Sequence, residues 1–236
     1  MPRLSPAEAR DLILGALTGS GLLPGHAGYF TDAILDTELS GLEGHGFYWL
    51  QYYCEHLRSG KVDGKVTPKV TEVSASALRV DAGHGFAHPA IEAGFQHLIP
   101  AAKAMGIAVM GVYNSYNAAT LGYHSGVLAR AGLFAIGATN AVPTVAPVGG
   151  KRPIIGTNPI SYAVPAPGGK VAFLVDQSAT AVAWTAVKRA AEAERPIPLG
   201  WALDAAGQPT TDAEAGLAGS MAPAGGVKGF SVGLLV

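Results

Sequence analysis

The sequence predicts a mixed α/β fold that opens on a helical N-terminal unit. Three observations predict it. Residues 5–58 place their apolar side chains at helical spacing. From residue 69 onward, short apolar runs such as Ile107–Val112 alternate with helical patterns, the sign of strands joined through helices. Glycine and proline number 32 and 16 in 236 residues, enough to cut the chain into many short elements.

Ser5-Pro6-Ala7-Glu8 predicts the first helix start. Ser5 is placed to cap, Pro6 suits the first helical position, and Glu8 closes a capping box. Leu12, Ile13, Ala16 and Leu17 then keep helical spacing to Thr18. Pro24 opens a second helix with Ala27, Phe30, Ala33, Ile34 and Leu35 on one stripe, and a third runs from about His45 to Arg58. Gly60–Pro68 is a polar, turn-rich connector, so the division expected is a helical unit over 1–68 and an α/β domain over 69–236. In that domain strands are expected near Lys69–Val73 and Leu78–Asp81, followed by a helix from Pro89 to Met105 and a strand at Ile107–Val112. A helix at Leu121–Ala131 and strands at Leu133–Ala138, Ile160–Val164 and Val171–Val175 come next, and a helix over Thr180–Glu194 comes after them. The chain closes on Gly229–Val236, which reads as the opening of an apolar helix with no cap or polar tail; the expectation is a C-terminus truncated before its last elements.

Composition narrows the function classes. A net charge of −1 makes no electrostatic case for nucleic acid or an anionic membrane. The single cysteine, Cys54, excludes an intrachain disulfide framework and a multi-cysteine zinc site, and is expected as a small buried hydrophobe. No signal peptide and no window of apolar residues long enough to span a bilayer is present, so the expected location is cytoplasmic. His84 and His88 have i,i+4 spacing, but Gly83, Gly85 and Pro89 argue against a helix there, and no metal site is expected. Two apolar strands around one helix invite a dinucleotide-fold reading, yet the turn Tyr113-Asn114-Ser115-Tyr116-Asn117-Ala118 has no glycine, so the Gly-x-Gly-x-x-Gly fingerprint is absent.

Chemistry concentrates in four places. His45 sits between Gly44 and Gly46 at a helix start, accessible and with an imidazole that ordinarily titrates near neutrality. Gly156-Thr157-Asn158-Pro159 holds an asparagine extended before proline, beside a glycine that admits close approach. Val175-Asp176-Gln177-Ser178-Ala179-Thr180 puts a carboxylate at the end of an apolar strand, where α/β proteins place functional groups. Pro223-Ala224-Gly225-Gly226-Val227-Lys228-Gly229 surrounds one lysine with glycines before a helix, a setting that suits an anion.

These segments, with Asn114-Ser115, Ala146–Gly150, Ile197–Asp204 and Gly207–Asp212 in the same order, resemble the malate/L-lactate dehydrogenase family, which is distinct from the Rossmann-fold lactate and malate dehydrogenases. The resemblance covers nearly the whole chain. It implies a non-Rossmann fold that binds NAD or NADP on a mixed, largely antiparallel sheet flanked by helices. It also implies a 2-hydroxy acid interconverted with its 2-oxo acid, and a homodimer. The family's catalytic histidine falls on His45, and Asp176 matches an aspartate that forms a relay with it in the imine-reducing members. Cofactor contacts fall on Ser115, Thr120, Asn140, Thr157, Asn158, Val175, Asp176, Gln177 and Lys228, and substrate contacts on Trp49 and Tyr53.

The chain departs from the family pattern at three positions. Gly44 replaces a serine, Trp49 an arginine that holds the substrate carboxylate, and Asn117 a histidine. Tryptophan cannot make the bidentate pair that arginine makes with a carboxylate. Either another cation such as Arg58 or Lys228 serves, or the substrate differs, or activity is weak. Two alternatives therefore stand beside the main reading: an NAD(P)H-dependent reductase of cyclic imino acids, and a member that binds nucleotide with impaired catalysis.

Overall fold

The computed structural model describes residues 3–42 and 44–236. Contacts divide the chain into two compact units: Met1–Phe134 with Val164–Ala172, and Ala135–Ala163 with Phe173–Val236.

Unit 1 starts with three helices. The first, α1 (Pro6–Gly19), has the expected capping box: Ser5 Oγ accepts from Glu8 N at 3.3 Å and the Glu8 carboxylate accepts from Ser5 N at 2.7 Å. These bonds hold the Glu8 carboxyl below its ordinary range. Next come α2 (Pro24–Leu39) and α3 (Phe47–Arg58), and one core joins all three around Ile13, Leu17, Phe30, Ile34 and Leu57. Cys54 is buried there, as its sequence context predicts. The helical segment packs directly on later elements: α2 also meets α4 (Ala87–Met105) and α5 (Leu121–Arg130), so the compact unit extends past residue 68 and reaches Phe134.

The rest of unit 1 is a three-stranded sheet in the order β1-β2-β3. β1 (Lys69–Ser74) runs antiparallel to β2 (Ala77–Asp81), and β2 runs parallel to β3 (Val109–Tyr113) through the α4 crossover. The helix α4 begins two residues before the proline expected to open it, because Phe86 is extended at the cap and Pro89 falls in the first turn, where a missing N–H costs nothing. His88 is therefore helical while His84, at φ 66°, is not. Gly94 lets α4 lie close on the sheet, since a Cβ there would strike Met110 Sδ.

Unit 2 holds two further three-stranded sheets. β4 (Ala135–Ala138) pairs antiparallel with β5 (Ile160–Ala166), which neighbours β6 (Lys170–Gln177); the tip of the β5–β6 hairpin counts with unit 1. A small sheet has the order β8-β7-β9, with β7 (Ala202–Leu203) antiparallel to both β8 (Pro209–Thr210) and β9 (Ser220–Met221). It packs with α6 (Trp184–Glu192) and α7 (Ala213–Ala218) over a core containing Val145, Val187, Ile197, Ala202 and Met221. The last described element is α8 (Val227–Leu235). The fold is thus mixed α/β and largely antiparallel, with one parallel strand pair among the described residues. Among the described residues no helix is long and apolar enough to cross a membrane, and no group of three or more His, Cys, Asp or Glu gathers as metal ligands would.

Candidate active site

In unit 1 the His45 turn is held by backbone and by a neighbouring helix. His45 N donates to Leu42 O at 2.8 Å, Trp49 N donates to Gly46 O at 3.1 Å, and Glu38 Oε2 accepts from Phe47 N at 2.9 Å. His45 itself is half-buried. The following helix carries a run of rings: Tyr48, Trp49 and Tyr52 are half-buried, with Trp49 and Tyr52 centroids 5.0 Å apart. Tyr53, expected at the substrate, is 1% exposed and stands among Phe30 and Phe86 in the core. Burial pushes its phenol pKa up, so it stays protonated at neutral pH. Its ring stacks under Trp49 at 6.1 Å, which makes it the seat of the residue that does reach the surface.

The second segment of unit 1 runs from the end of β3 into α5. Asn114, Asn117 and Ala119 all have positive φ, at 51°, 41° and 52°, a density of strained non-glycine backbone typical of functional loops. Local bonds hold it. Asp81 Oδ1 accepts from Asn114 Nδ2 at 3.1 Å and from Gly83 N at 2.9 Å, which keeps its carboxyl below the ordinary range. Asn117 Oδ1 accepts from Ala119 N at 2.7 Å. Tyr116 bridges to Phe86 through the backbone, and its hydroxyl lies 2.6 Å from His56 Nδ1. Burial first, and the Lys61 charge second, lower the His56 pKa. Ser115 is left exposed at the crest of this loop, and Thr120 Oγ1 lies 2.8 Å from Thr37 Oγ1 of α2.

In unit 2 the remaining candidates come together around one residue. Ala179 N donates to Thr157 O at 2.7 Å, and Ala179 O accepts from Ala224 N at 2.9 Å. The loops 156–159, 175–180 and 223–229, far apart in sequence, are therefore joined through a single residue. Asn158 adds a second tie: it is buried at φ 33°, its Oδ1 accepts from Ala141 N at 3.0 Å, and its Nδ2 donates to Gly233 O at 2.8 Å. That brings Asn140 beside the same group. Asp176 is half-buried at the end of β6, and Ser178 and Thr180 join their hydroxyls at 2.9 Å behind it.

The donor set suits a phosphate-bearing cofactor. Gly225 and Gly226 have φ 62° and 65°, with open space where a Cβ would stand. Among the described residues no side chain caps α8, and Lys228 in its first turn is exposed, a setting whose helix dipole and charge favour an anion. Gly229 must be glycine, because a Cβ there would strike the Ala224 backbone that closes the turn. Sequence reasoning found these loops; it did not find Glu38, Thr37, Tyr116 or Ala179, whose roles come from partners distant in the chain and leave no local pattern.

The family model for malate/L-lactate dehydrogenase matches residues 4–236. The chain belongs to that family. It is 42% identical over 233 residues to the (2R)-3-sulfolactate dehydrogenase (NADP(+)) of Chromohalobacter salexigens, covering 99% of this chain and 69% of the relative. It is 36% identical to the Δ1-pyrroline-2-carboxylate/Δ1-piperideine-2-carboxylate reductase of Pseudomonas aeruginosa, over 100% of this chain and 70% of that one. Among solved structures, the Δ1-piperideine-2-carboxylate reductase of Pseudomonas syringae superposes with a TM-score of 0.94 at 33% identity, covering 100% of this chain and 71% of that one. This malate/L-lactate dehydrogenase family member is an oxidoreductase, and its lack of the Rossmann glycine fingerprint is a consequence of its fold.

Proposed function

We propose that the protein reduces a small 2-oxo acid to its 2-hydroxy acid, and catalyses the reverse, with NADP in preference to NAD. The observation that carries the reading is the junction at Ala179, which joins the Thr157-Asn158, Asp176 and Lys228 loops of an oxidoreductase of this family. The preference for NADP is drawn from the named cofactor of the sulfolactate relative. In this reading Lys228 and the first amides of α8 in unit 2 would hold phosphate, with Asn140, Thr157, Asn158, Val175, Asp176 and Gln177 as further contacts; in unit 1 the family resemblance assigns cofactor contacts to Ser115 and Thr120. When bound, a reduced nicotinamide supplies the hydride. As the substrate carbon accepts it, the carbonyl π pair moves to oxygen, and His45 delivers a proton there to form the hydroxyl. In oxidation His45 takes that proton back. By the family resemblance Asp176 is the carboxylate of the proton relay, and Trp49, seated on Tyr53, the substrate contact. The protein works in the cytoplasm as a homodimer.

A second reading has its own support, since several of the similar proteins are named as Δ1-pyrroline- or Δ1-piperideine-2-carboxylate reductases. There His45 would protonate nitrogen instead of oxygen. Assays with NADPH against sulfopyruvate, oxaloacetate and pyruvate on one side and Δ1-piperideine-2-carboxylate on the other separate the two. Turnover confined to the imine transfers the proposal to the second reading. His45→Asn should lower kcat by about 10²–10⁴-fold, the usual contribution of a positioned acid/base. Wild-type turnover in that variant would remove His45 from the mechanism.

A further inference from the structure

Two consecutive residues at the end of α2 reach two different segments of unit 1. Thr37, 1% exposed, has its hydroxyl 2.8 Å from that of Thr120, and Glu38 Oε2 accepts from Phe47 N at 2.9 Å. The second contact answers a local need. α3 opens on Gly46, which has no side chain to cap the helix, and the first amides of a helix lack partners within it. The carboxylate of a preceding helix satisfies one of them and sets negative charge against the positive end of the helix dipole. Gly46 is shaped to it: a Cβ there would run into the Glu38 carboxylate. His45 is therefore anchored on both sides, by Leu42 O before it and by the Glu38–Phe47 bond after it.

We propose that Glu38 is a positioning residue for His45. Its carboxylate clamps the turn that carries the imidazole onto α2, and Thr37 on the same helical turn clamps the Ser115–Thr120 segment, so one helix end sets the register of both. The inference rests on the reading of His45 as proton donor and acceptor. Glu38 does not touch substrate or cofactor in this role; its effect falls on kcat and leaves the Michaelis constants in place.

The test compares Glu38→Ala, the isosteric Glu38→Gln and His45→Asn, using NADPH with the best 2-oxo acid or imine from the panel, alongside hydrogen exchange at the Phe47 amide. Loosening a proton donor by about 1 Å costs on the order of 10–10²-fold, so Glu38→Ala is expected to lose kcat in that range with KM for NADPH nearly unchanged, and to speed Phe47 exchange on the order of tenfold. Glu38→Gln keeps an oxygen acceptor and is expected to restore most of the kcat and the protection. Gly46→Ala, which pushes the carboxylate off Phe47, gives the same exchange signature should Glu38→Ala fold poorly. A wild-type kcat in Glu38→Ala beside an inactive His45→Asn overturns the role of Glu38 alone, as does a Glu38→Gln enzyme as slow as Glu38→Ala. An active His45→Asn overturns the reading beneath and Glu38 with it.

Discussion

Asn158 combines a strained backbone, at φ 33°, with a side chain committed at both ends to Ala141 and Gly233. Asparagine tolerates that left-handed conformation better than most residues, and its amide donates and accepts through separate atoms. In the proposed cofactor site its side chain therefore fixes the loop that carries Thr157. Asn158→Ala is expected to cost about 2–4 kcal/mol, from two lost buried hydrogen bonds and an alanine at positive φ, read as a lower urea midpoint with an unchanged slope. The same logic of shape applies at Gly46 and Gly229, where the missing Cβ leaves room for a carboxylate and for the Ala224 backbone.

At the scale of elements, the packing of α2, α4 and α5 buries two histidines. His88 on α4 is 0% exposed, stacks on Phe30 at 4.0 Å, and has no hydrogen-bond partner at either ring nitrogen among the described residues. His124 on α5 lies 5.2 Å from it, with Nδ1 3.0 Å from the Tyr29 hydroxyl and Nε2 2.9 Å from Ala118 O. Burial drives the His124 pKa down to about 4 and the His88 pKa well below its ordinary value, with His124 adding to the latter. Both are neutral in the folded protein, whereas the unfolded chain takes up protons below about pH 6.5. The unfolded state therefore binds more protons in that range, and stability falls as pH drops from about 6.5 toward 4, by up to ~1.4 kcal/mol per pH unit for each histidine. Urea midpoints at pH 7, 6 and 5 check the slope. His88→Leu, which removes an imidazole without a partner, is expected to flatten it by about half.

At the scale of the molecule, a net charge of −1 offers no strong field, so the proposed phosphate recognition is assigned to local donors, Lys228 and the amides of α8. NADPH at about 100 times its Kd is expected to stabilise the fold by ~2.7 kcal/mol, seen as a rise in the melting temperature. Lys228→Gln should shrink that rise, and Lys170→Gln, at an exposed lysine that opens β6, should leave it alone. An equal effect from both lysines would point to general charge screening in place of a phosphate site.

How much was legible depends on the range of each interaction. The capping box at Ser5–Glu8, the stripes of α1 to α3, the apolar strands and the Gly-Lys loop are local patterns, and they stand within about two residues of where the sequence places them. The two-residue strands β7 to β9 and the six-residue α7 are too short to show a period, so only their packing defines them. The sequence by itself determined the kinds of chemistry present and their order along the chain, because glycine pairs, strand-end carboxylates and an imidazole between glycines are local statements. Only the tertiary structure decided that Ala179 joins three loops, that Glu38 closes the His45 turn and that Tyr53 belongs to the core. Those outcomes depend on a hydrogen bond or a buried ring finding a partner far along the chain, and such a partner exists only once the backbone has folded.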